Sequence, residues 1–567
     1  MSEIKSQGHP KGLYVLFATE MWERFNYYGM RAILVLFMTK ALLFDKVFAS
    51  NLYGSYTSLV YLTPLIGGYI SDRYWGNKRS IIAGGLVMAI GEILLFFCGS
   101  FYDTNQSLSS LFFFSGLGFM IAGNGFFKPN ISSLVGQLYP KNDRRIDPAY
   151  TIFYMGINVG GALGPFVCGL VGDTGNPADF RWAFLAAGIG MLLSVIVQYV
   201  FQQKYVIDAD GNPLGETPAH APRWWTSPLF MSVGLAALSV LMIGLLYVDA
   251  NVFSFLSYLL IGALLLIGFV VFSDKSLSVL EKKRIAVIFI VSFFVVFFWS
   301  AFEQAGASLT FFADEQTDRS LGLSIPTWSI HLLSAGLLYY VYTLYRKAAA
   351  GLGADEGALR TTIFGLLALL AAGTVYGNVT LLMDGNSTLS MDTVPASLFQ
   401  SLNSIFVVTL APVFAWLWLK LGRHEPSSPT KMAIGLLLLC LGYLWIAFGV
   451  NSVQPGIKVS MVWLTGMYMM HTMGELCLSP IGLSLVNKLA PLKFASLLMA
   501  VWFLANAFAN KLAGVLSALY PEGKTTQFLG YQMNNLYDFF MLFVAMSGIA
   551  ALILFLLTRW LQNLMKD

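Results

Sequence analysis

Ionisable and aromatic side chains share one face of the first apolar segment of the chain, near residues 13–40. Glu20, Arg24, Tyr27 and Arg31 stand at offsets of 0, 4, 7 and 11, which places them on one side of a helix. Charged groups inside an apolar helix are costly, so they must face one another or a water-filled cavity. A carboxylate beside a guanidinium stays ionised until the pair is broken, and such a site can take up and release a proton.

The same cluster contains Tyr28, at offset 8, and Glu23, one turn from Glu20. Glu20 and Arg24 stand in the favourable i,i+4 order, so a purely structural ion pair between them is the alternative interpretation. That alternative does not account for Glu23, for the two tyrosines or for the second arginine. We therefore predict that Glu20, Glu23 and Arg24 take part in proton coupling.

Three more charged residues lie alone within apolar segments. Lys128 is in the middle of its segment, where an unpaired ammonium group is expensive and therefore requires a partner. Glu303 is the only acid of its segment and is the natural counter-ion for either Lys128 or Arg31. Glu475 is likewise the lone acid of its segment.

The composition indicates a membrane protein. Of the 567 residues, 57% are hydrophobic and only 11% are charged, with a mean hydropathy of +0.67, whereas soluble domains carry about 25% charged residues. The net charge of +4 reflects where Lys and Arg lie and does not indicate a nucleic-acid partner. The four cysteines form no CxxC pair and the five histidines form no cluster, so we expect no metal and no cofactor. The first apolar run carries charges and is therefore not a cleavable signal.

Apolar segments of about 20 residues, the length that spans a bilayer, recur along the whole chain. We predict sixteen spans, near 13–40, 51–73, 80–100, 108–134, 149–171, 181–202, 226–248, 253–273, 285–312, 328–346, 359–383, 397–420, 431–450, 458–487, 494–516 and 536–560. Lys and Arg concentrate in alternate loops, which places those loops and both termini in the cytoplasm.

Two pairs of spans, 226–273 and 328–383, contain almost no ionisable residues and look like additions to a core of twelve. We therefore expect an all-α polytopic membrane protein with two six-helix bundles plus two inserted transmembrane hairpins. The expected divisions are a first bundle at 1–203, a linker and inserted helix pair at 204–282, and a second bundle at 283–567 that contains the extra hairpin.

The loop from Gly67 to Arg79, between the second and third predicted spans, resembles the loop signature of the major facilitator superfamily. Asp72 and Arg73 in this loop would lock the cytoplasmic ends of neighbouring helices in one state, which is a conformational role without substrate contact. A solvated basic turn is the alternative interpretation.

Further stretches resemble the signatures of the bacterial proton-coupled oligopeptide transporters of that superfamily. They are Glu20 to Gly29 (ExxERFxYYG), Gly123 to Asn130 (the fourth-span lysine), Phe153 to Gly160 (FYxxINxG) and Gly474 to Gly482 (GE…SP). The matches occur in order along the twelve-span core. The resemblance implies a symporter that imports di- and tripeptides with protons across the inner membrane by alternating access. Its partners would be peptides, protons and the lipid bilayer, with a monomer as the functional unit.

The resemblance also assigns residues to roles. Exchange of partners between Glu303 and Arg31 or Lys128 would gate the periplasmic side. Glu475 would hold the amino group of a peptide while Arg31 and Lys128 hold its carboxylate. The expected substrate-binding residues are Tyr27, Tyr28, Arg31, Tyr61, Lys128, Asn158, Trp299, Asn403, Glu475, Ser479 and Trp502. For the tryptophans and asparagines, ordinary helix packing is the alternative.

Other functions fit the sequence less well. A related transporter for nitrate, another small anion or an amino-acid-like solute would share the fold, but nitrate offers no amino group to Glu475. An enzyme is not expected, because neither a catalytic dyad nor a metal-binding motif appears in the sequence. The second span contains no histidine, which excludes a histidine proton relay there. The hairpin at 328–383 departs from the basic plan of the family.

Overall fold

The computed structural model describes residues 8–140, 143–219, 221–251, 255–351, 357–383, 385, 387–451, 453 and 456–565. Sixteen helices of 19 to 32 residues dominate this part of the chain. Twelve helical segments in it are long and apolar enough to cross a membrane, by length and composition. Four long helices fall outside that set: Lys11–Lys40, Lys46–Ile70, Thr327–Gly351 and Met461–Leu489, the last of which contains Glu475.

Six long helices form the first half of the chain. They are α1 (Lys11–Lys40), α2 (Lys46–Ile70), α3 (Asn77–Phe101), α4 (Gln106–Gln137), α5 (Ile146–Gly172) and α6 (Phe180–Tyr205). Asp45 caps α2 by accepting a hydrogen bond from the backbone N–H of Phe48 (2.8 Å), and Asn105 caps α4 through Leu108 (3.0 Å).

The second half begins after an inserted pair. The pair consists of α7 (Pro228–Asn251) and α8 (Phe255–Ser273). The remaining helices are α9 (Val279–Phe302), α10 (Ser308–Glu315), α11 (Thr327–Gly351), α12 (Gly357–Met383), α13 (Ser401–Leu421), α14 (Ser428–Val450), α15 (Met461–Leu489), α16 (Ala495–Ser517) and α17 (Leu536–Met565). Helices α11 and α12 form the second inserted pair.

Short strands, which were not predicted, connect some of these helices. They are β1 (Thr317–Asp318), β2 (Ser320–Pro326), β3 (Thr388–Thr393), β4 (Val459–Ser460), β5 (Thr526–Phe528) and β6 (Tyr531–Met533). β1 pairs in parallel with β4, while β2 with β3 and β5 with β6 form antiparallel ribbons. Strand β2 directly precedes α11 and strand β3 follows α12, so their pairing joins the two ends of the second hairpin.

The predicted span 285–312 lies within one apolar segment long enough to cross a membrane, Val279–Glu315, but the helix breaks inside it. A 3-10 turn, Glu303–Gly306, separates α9 from α10. The side chain of Gln304 donates to the backbone oxygen of Ala513 on α16 (3.0 Å), and the backbone N–H of Ser308 donates to the hydroxyl of Ser517 (3.0 Å). Polar groups that the break exposes are therefore satisfied by the neighbouring helix, as buried irregular backbone within a membrane requires.

The two halves meet through close helix crossings at glycines. A Cβ at Gly54 of α2 would lie 2.7 Å from the Cα of Gly514 on α16. Within the first half, a Cβ at Gly160 of α5 would lie 2.1 Å from the backbone oxygen of Met21 on α1. Small residues of this kind let membrane helices approach closely, so any larger side chain would force the helices apart.

The start of the chain defines one face of the molecule. His9 bonds to Tyr139, which follows α4 (2.8 Å), and Gly12 lies against Tyr205 at the end of α6. We call this side the N-terminal face. The other side, where α1 ends and α2 begins, is the opposite face.

The second hairpin contacts the first half of the chain, although it is inserted into the second. The indole N–H of Trp22 on α1 donates to the hydroxyl of Tyr340 on α11 (3.3 Å), and Lys347 lies over the ring of Phe201 on α6. Helix α11 therefore packs on the first half of the chain.

Candidate functional site

A cavity lies between the two halves of the protein. It is lined by Tyr28, Arg31, Tyr61, Trp299, Phe302, Glu303, Ala305, Gln400, Asn403, Ser404, Tyr468, His471 and Glu475. Helices α1 and α2 supply the first three, while α9, its break, α13 and α15 supply most of the rest. Water can occupy about 80 Å³ of this space. Ligand pockets commonly measure roughly 300–1,000 Å³, so this conformation must widen to admit a larger solute.

An ion pair joins the two halves at the cavity wall. A guanidinium N–H of Arg31 donates to a carboxylate oxygen of Glu303 at 2.5 Å, and both side chains are buried. The Nε of Arg31 donates to the hydroxyl of Tyr53 at 2.6 Å. The sequence left Lys128 and Arg31 as alternative partners for Glu303, and the tertiary structure selects Arg31. The break after α9 carries Glu303 and turns it towards α1.

The remaining charges of α1 form a separate cluster. Arg24 donates two hydrogen bonds to Glu23, at 2.5 and 2.7 Å, and its Nε is 3.4 Å from Glu20. Glu20 is the partner of Lys128 on α4. The predicted Glu20–Arg24 pair is therefore present, but it is the longer of the two ion pairs of Arg24, because Glu23 accepts two hydrogen bonds from the guanidinium. Both carboxylates are fully buried, so their charges depend on these two cations.

Glu475 faces the cavity from α15. Its carboxylate accepts a hydrogen bond from the side-chain amide of Asn403 on α13 (2.8 Å), and the same amide also donates to Thr472 (3.1 Å). Within the described part of the chain, no lysine or arginine pairs with Glu475. The cavity therefore holds one guanidinium already paired and one carboxylate available to a cation.

Aromatic rings cover the charged groups. Tyr28 lies 5.7 Å from the guanidinium of Arg31 and meets Tyr27 edge to face. Trp299 stacks edge to face with Phe302 at the cavity wall. Such rings exclude water around the charges and attract cations over their faces.

Several predicted binding residues do not line the cavity in this conformation. The side chains of Tyr27 and Trp502 are buried in the hydrophobic core. The side-chain amide of Asn158 donates to the backbone oxygen of Tyr154 in its own helix (2.9 Å). Lys128 is held at Glu20. Ser479 belongs to α15, but its side chain lies outside the described residues.

Asp72 and Arg73 lie in a π-helical turn, Ser71–Trp75, where both are exposed. Arg73 lies over the ring of Tyr69, and neither residue forms an ion pair within the described residues. Instead, Lys78 of the same loop pairs with Glu216 of the linker (2.8 Å).

Some residues of the site were not predicted from the sequence: Phe302, Ala305, Gln400, Ser404, Tyr468 and His471 in the cavity, and Tyr53 behind Arg31. Tyr468 and His471 precede Glu475 by seven and four residues on α15, so helical periodicity was a usable signal for them. No comparable signal marks Gln400 or Tyr53, because their positions depend on how distant helices pack.

Comparisons with known proteins agree with this architecture. A family model described as the POT family matches residues 78–359 and 383–535, more than half of the chain. An uncharacterized transporter, YclF of Bacillus subtilis, is 33% identical over 534 residues, covering 92% of this chain and 90% of YclF. The peptide transporter YePEPT of Yersinia enterocolitica is 30% identical, covering 90% of this chain and 88% of its own.

A solved structure agrees as well. A mutant of the peptide transporter POT in complex with alafosfalin matches with a TM-score of 0.72 and 29% identity, covering 100% of this chain and 98% of that one. The predicted major facilitator fold is thereby confirmed. The apolar helices and bacterial transporter relatives make this a multi-pass inner-membrane protein. Members of the matched family are transporters and not enzymes. The chain belongs to the POT family of proton-coupled oligopeptide transporters.

Proposed function

We propose that this protein is a proton-coupled symporter that imports di- and tripeptides by alternating access. The observation that carries the proposal is the buried Arg31–Glu303 pair (2.5 Å), which joins the two halves at the wall of a cavity that also contains Glu475. A peptide is a zwitterion, and each of its charged ends needs an oppositely charged partner. Arg31 and Glu475 are such partners, and they come from opposite halves of the chain.

The proton acts by releasing Arg31. Protonation of Glu303 removes the negative charge that holds the guanidinium, and Arg31 then binds the carboxylate of the peptide. Glu475 binds the amino group. The Glu20–Lys128 pair offers a second place for a proton, since one oxygen of Glu20 is buried without a partner within the described residues. Peptide and proton shift the conformational balance only as far as they prefer one state.

The concentration of Lys and Arg in alternate loops supports an orientation with the N-terminal face and both termini in the cytoplasm. The opposite face is then the outer face. Ion pairs between the two halves close it, among them Lys40 with Asp314 (2.8 Å) and Lys46 with Glu315 (2.5 Å). The described conformation is therefore closed towards the outside.

The experiment that tests the function is uptake into proteoliposomes. Labelled dipeptide should accumulate under an inward proton gradient and should not accumulate without it. Unlabelled di- and tripeptides should compete, whereas tetrapeptides and nitrate should not. Competition by nitrate, or accumulation that is independent of the gradient, would contradict the proposal.

Glu303 is the proposed coupling residue. We expect Glu303→Gln to lose gradient-driven uptake while it retains peptide counterflow, because exchange of peptide for peptide requires no net proton transfer. Glu216→Gln, which alters an ion-paired glutamate of the cytoplasmic linker, is the matched control and should retain both activities. Unchanged driven uptake in Glu303→Gln would exclude Glu303 from coupling.

A further inference from the structure

Three buried polar side chains meet away from the cavity, where α2, α7 and α16 come together. Lys511, Asp249 and Ser55 are each 1% exposed. The ammonium group of Lys511 is 2.6 Å from the carboxylate of Asp249 and donates to the hydroxyl of Ser55 at 2.8 Å. The hydroxyl of Ser55 in turn donates to the carboxylate of Asp249. The same carboxylate also accepts a hydrogen bond from the backbone N–H of Leu256 on α8, at 2.9 Å.

The first hairpin straddles the two halves of the protein. Helix α7 packs on the first half, because a Cβ at Gly118 of α4 would lie 2.3 Å from Ile243. The first turns of α7 form an apolar cluster with Trp75 and Phe126 of the first half. Helix α8 packs on the second half, against α16 and beside Phe289 of α9. The bond between Asp249 and Lys511 therefore crosses from one half to the other.

This bond lies where the two halves are pressed together near the outer face. Ser55 follows Gly54, and Lys511 precedes Gly514 by one turn; these two glycines form the close crossing of α2 with α16. Asp249 stands at the outer end of α7. When the outer face opens, α2 and α16 must separate at this point, so the three side chains must part.

Burial determines what such a contact does. Removing one partner of a buried ion pair leaves the other charge unpaired in the closed state, whereas opening returns that charge to water. Removing either Asp249 or Lys511 alone therefore favours the open state. Removing both charges leaves no unpaired charge, and the closed state then recovers.

We propose that Asp249, Lys511 and Ser55 form a second closing contact of the outer face, alongside Arg31–Glu303, and that the α7–α8 hairpin is thereby a working part of the gate. This inference rests on the alternating access proposed above.

The test is the distance between spin labels on the outer ends of the two halves. Exposed Asp103, between α3 and α4, and Leu529, between β5 and β6, are suitable label positions. Asp249→Asn and Lys511→Met should each raise the ratio of long to short distances about tenfold or more. The double variant Asp249→Asn with Lys511→Met, which keeps an acceptor for the backbone N–H of Leu256, should return towards the wild-type ratio. Ser55→Ala, which keeps both charges, should shift the ratio in the same direction by less.

A merely structural anchor would behave differently. Single variants would then loosen the hairpin and lower the melting temperature without changing the distances, and that result would overturn the proposal. A double variant as open as the single ones would also overturn it. Ser239→Ala is the matched control on α7, because among the described residues this buried hydroxyl bonds only to Leu235 of its own helix, and the variant should leave the ratio unchanged.

Wild-type uptake in the same preparations separates this inference from the proposed function. If peptide uptake fails while the distances shift as expected, the closing contact stands and the proposed substrate falls.

Discussion

At the residue scale, Glu475 is the carboxylate that the cavity offers to a cationic group. Its oxygen is held by the amide of Asn403, and no lysine or arginine pairs with it among the described residues. We predict that Glu475→Gln weakens the binding of dipeptides with a free amino end by about 10- to 100-fold, because a hydrogen bond to a charged group contributes about 1.5–3 kcal/mol. The measurement is the concentration of unlabelled dipeptide that halves uptake of a labelled one.

An N-acetylated dipeptide provides the control for this prediction. It lacks the ammonium group, so the wild-type protein should bind it poorly and the Gln variant should no longer discriminate between the two ligands. A variant that still prefers the free amine would show that another group holds it. Glu425→Gln, which alters an ion-paired glutamate between α13 and α14 and away from the cavity, should change neither affinity.

Tyr53 holds Arg31 from behind the cavity. Its hydroxyl accepts the Nε–H of Arg31 at 2.6 Å, which fixes the direction of the guanidinium towards Glu303. We predict that Tyr53→Phe lowers gradient-driven uptake about tenfold, since it removes one charge-assisted hydrogen bond from the gate. Initial rates of uptake under a fixed gradient measure this effect.

Tyr56, one turn away, is the matched control. It is equally buried on α2, but its hydroxyl has no hydrogen-bond partner among the described residues. Tyr56→Phe should therefore transport at the wild-type rate. Equal losses in the two variants would indicate a general packing effect and would contradict the assigned role of Tyr53.

At the element scale, helix crossings and helix breaks place the charges. Tyr53 of α2 lies against the break Glu303–Gly306, where a Cβ at Gly306 would collide with the hydroxyl and ring of that tyrosine. The missing side chain at Gly306 therefore permits the close approach of α2 to the turn that carries Glu303. The hydroxyl of Ser517 on α16 accepts the freed backbone N–H of Ser308, and the side chain of Gln304 donates to Ala513 of the same helix, so three helices hold one carboxylate in place.

The crossing of α2 with α16 has no space for a side chain. A Cβ at Gly514 would lie 2.5 Å from the backbone oxygen of Ser50. We predict that Gly514→Ala destabilises the closed protein by about 1–3 kcal/mol, as overpacking does. The melting temperature in detergent, and the label distances across the outer face, would report the change.

Gly262 of α8 provides the comparison, because nothing lies within 4 Å of a Cβ built there. Gly262→Ala should be neutral or slightly stabilising, since alanine favours a helix over glycine by about 1 kcal/mol. Similar losses at both glycines would show that the crossing is not tightly packed.

At the scale of the whole molecule, contacts between the two halves are spread over the outer face. Besides the ion pairs, the carboxylate of Asp173 after α5 accepts hydrogen bonds from the backbone N–H and the hydroxyl of Ser397 before α13, both at 3.1 Å. Burial raises the pKa of Asp173 above its ordinary value of 3.8, while the N–H of Ser397 opposes that rise.

This shift predicts a pH dependence of the gate. The closed state, with the raised pKa, binds a proton more readily than the open state, in which water restores the ordinary value. Protonation of Asp173 therefore favours closure as the pH falls from the raised pKa towards 3.8, and this contribution is lost as the pH rises. Asp173→Asn should reduce the change in label distances between pH 7 and pH 4. Asp179→Asn, in the same outer loop but bonded to Thr174 within that loop, should not. An unchanged pH response in Asp173→Asn would contradict the prediction.

The sequence by itself determined the features that depend on local pattern. The apolar segments gave the positions of the long helices, and the spacing within α1 placed its charges on one face. The motifs identified the family, the fold and a transporter, and all three are confirmed. These inferences succeed because helix periodicity and membrane length act over short stretches of chain.

Only the tertiary structure decided which charges meet. Arg31 and Glu303 are 272 residues apart, and Asp249 and Lys511 are 262 residues apart, so no local pattern could pair either couple. The structure also placed Lys128 at Glu20, showed a 3-10 turn at Glu303 within the predicted span and set the first hairpin across both halves. Each outcome depends on how close two distant helices come, and the packing of glycines and the satisfaction of buried polar groups determine that distance.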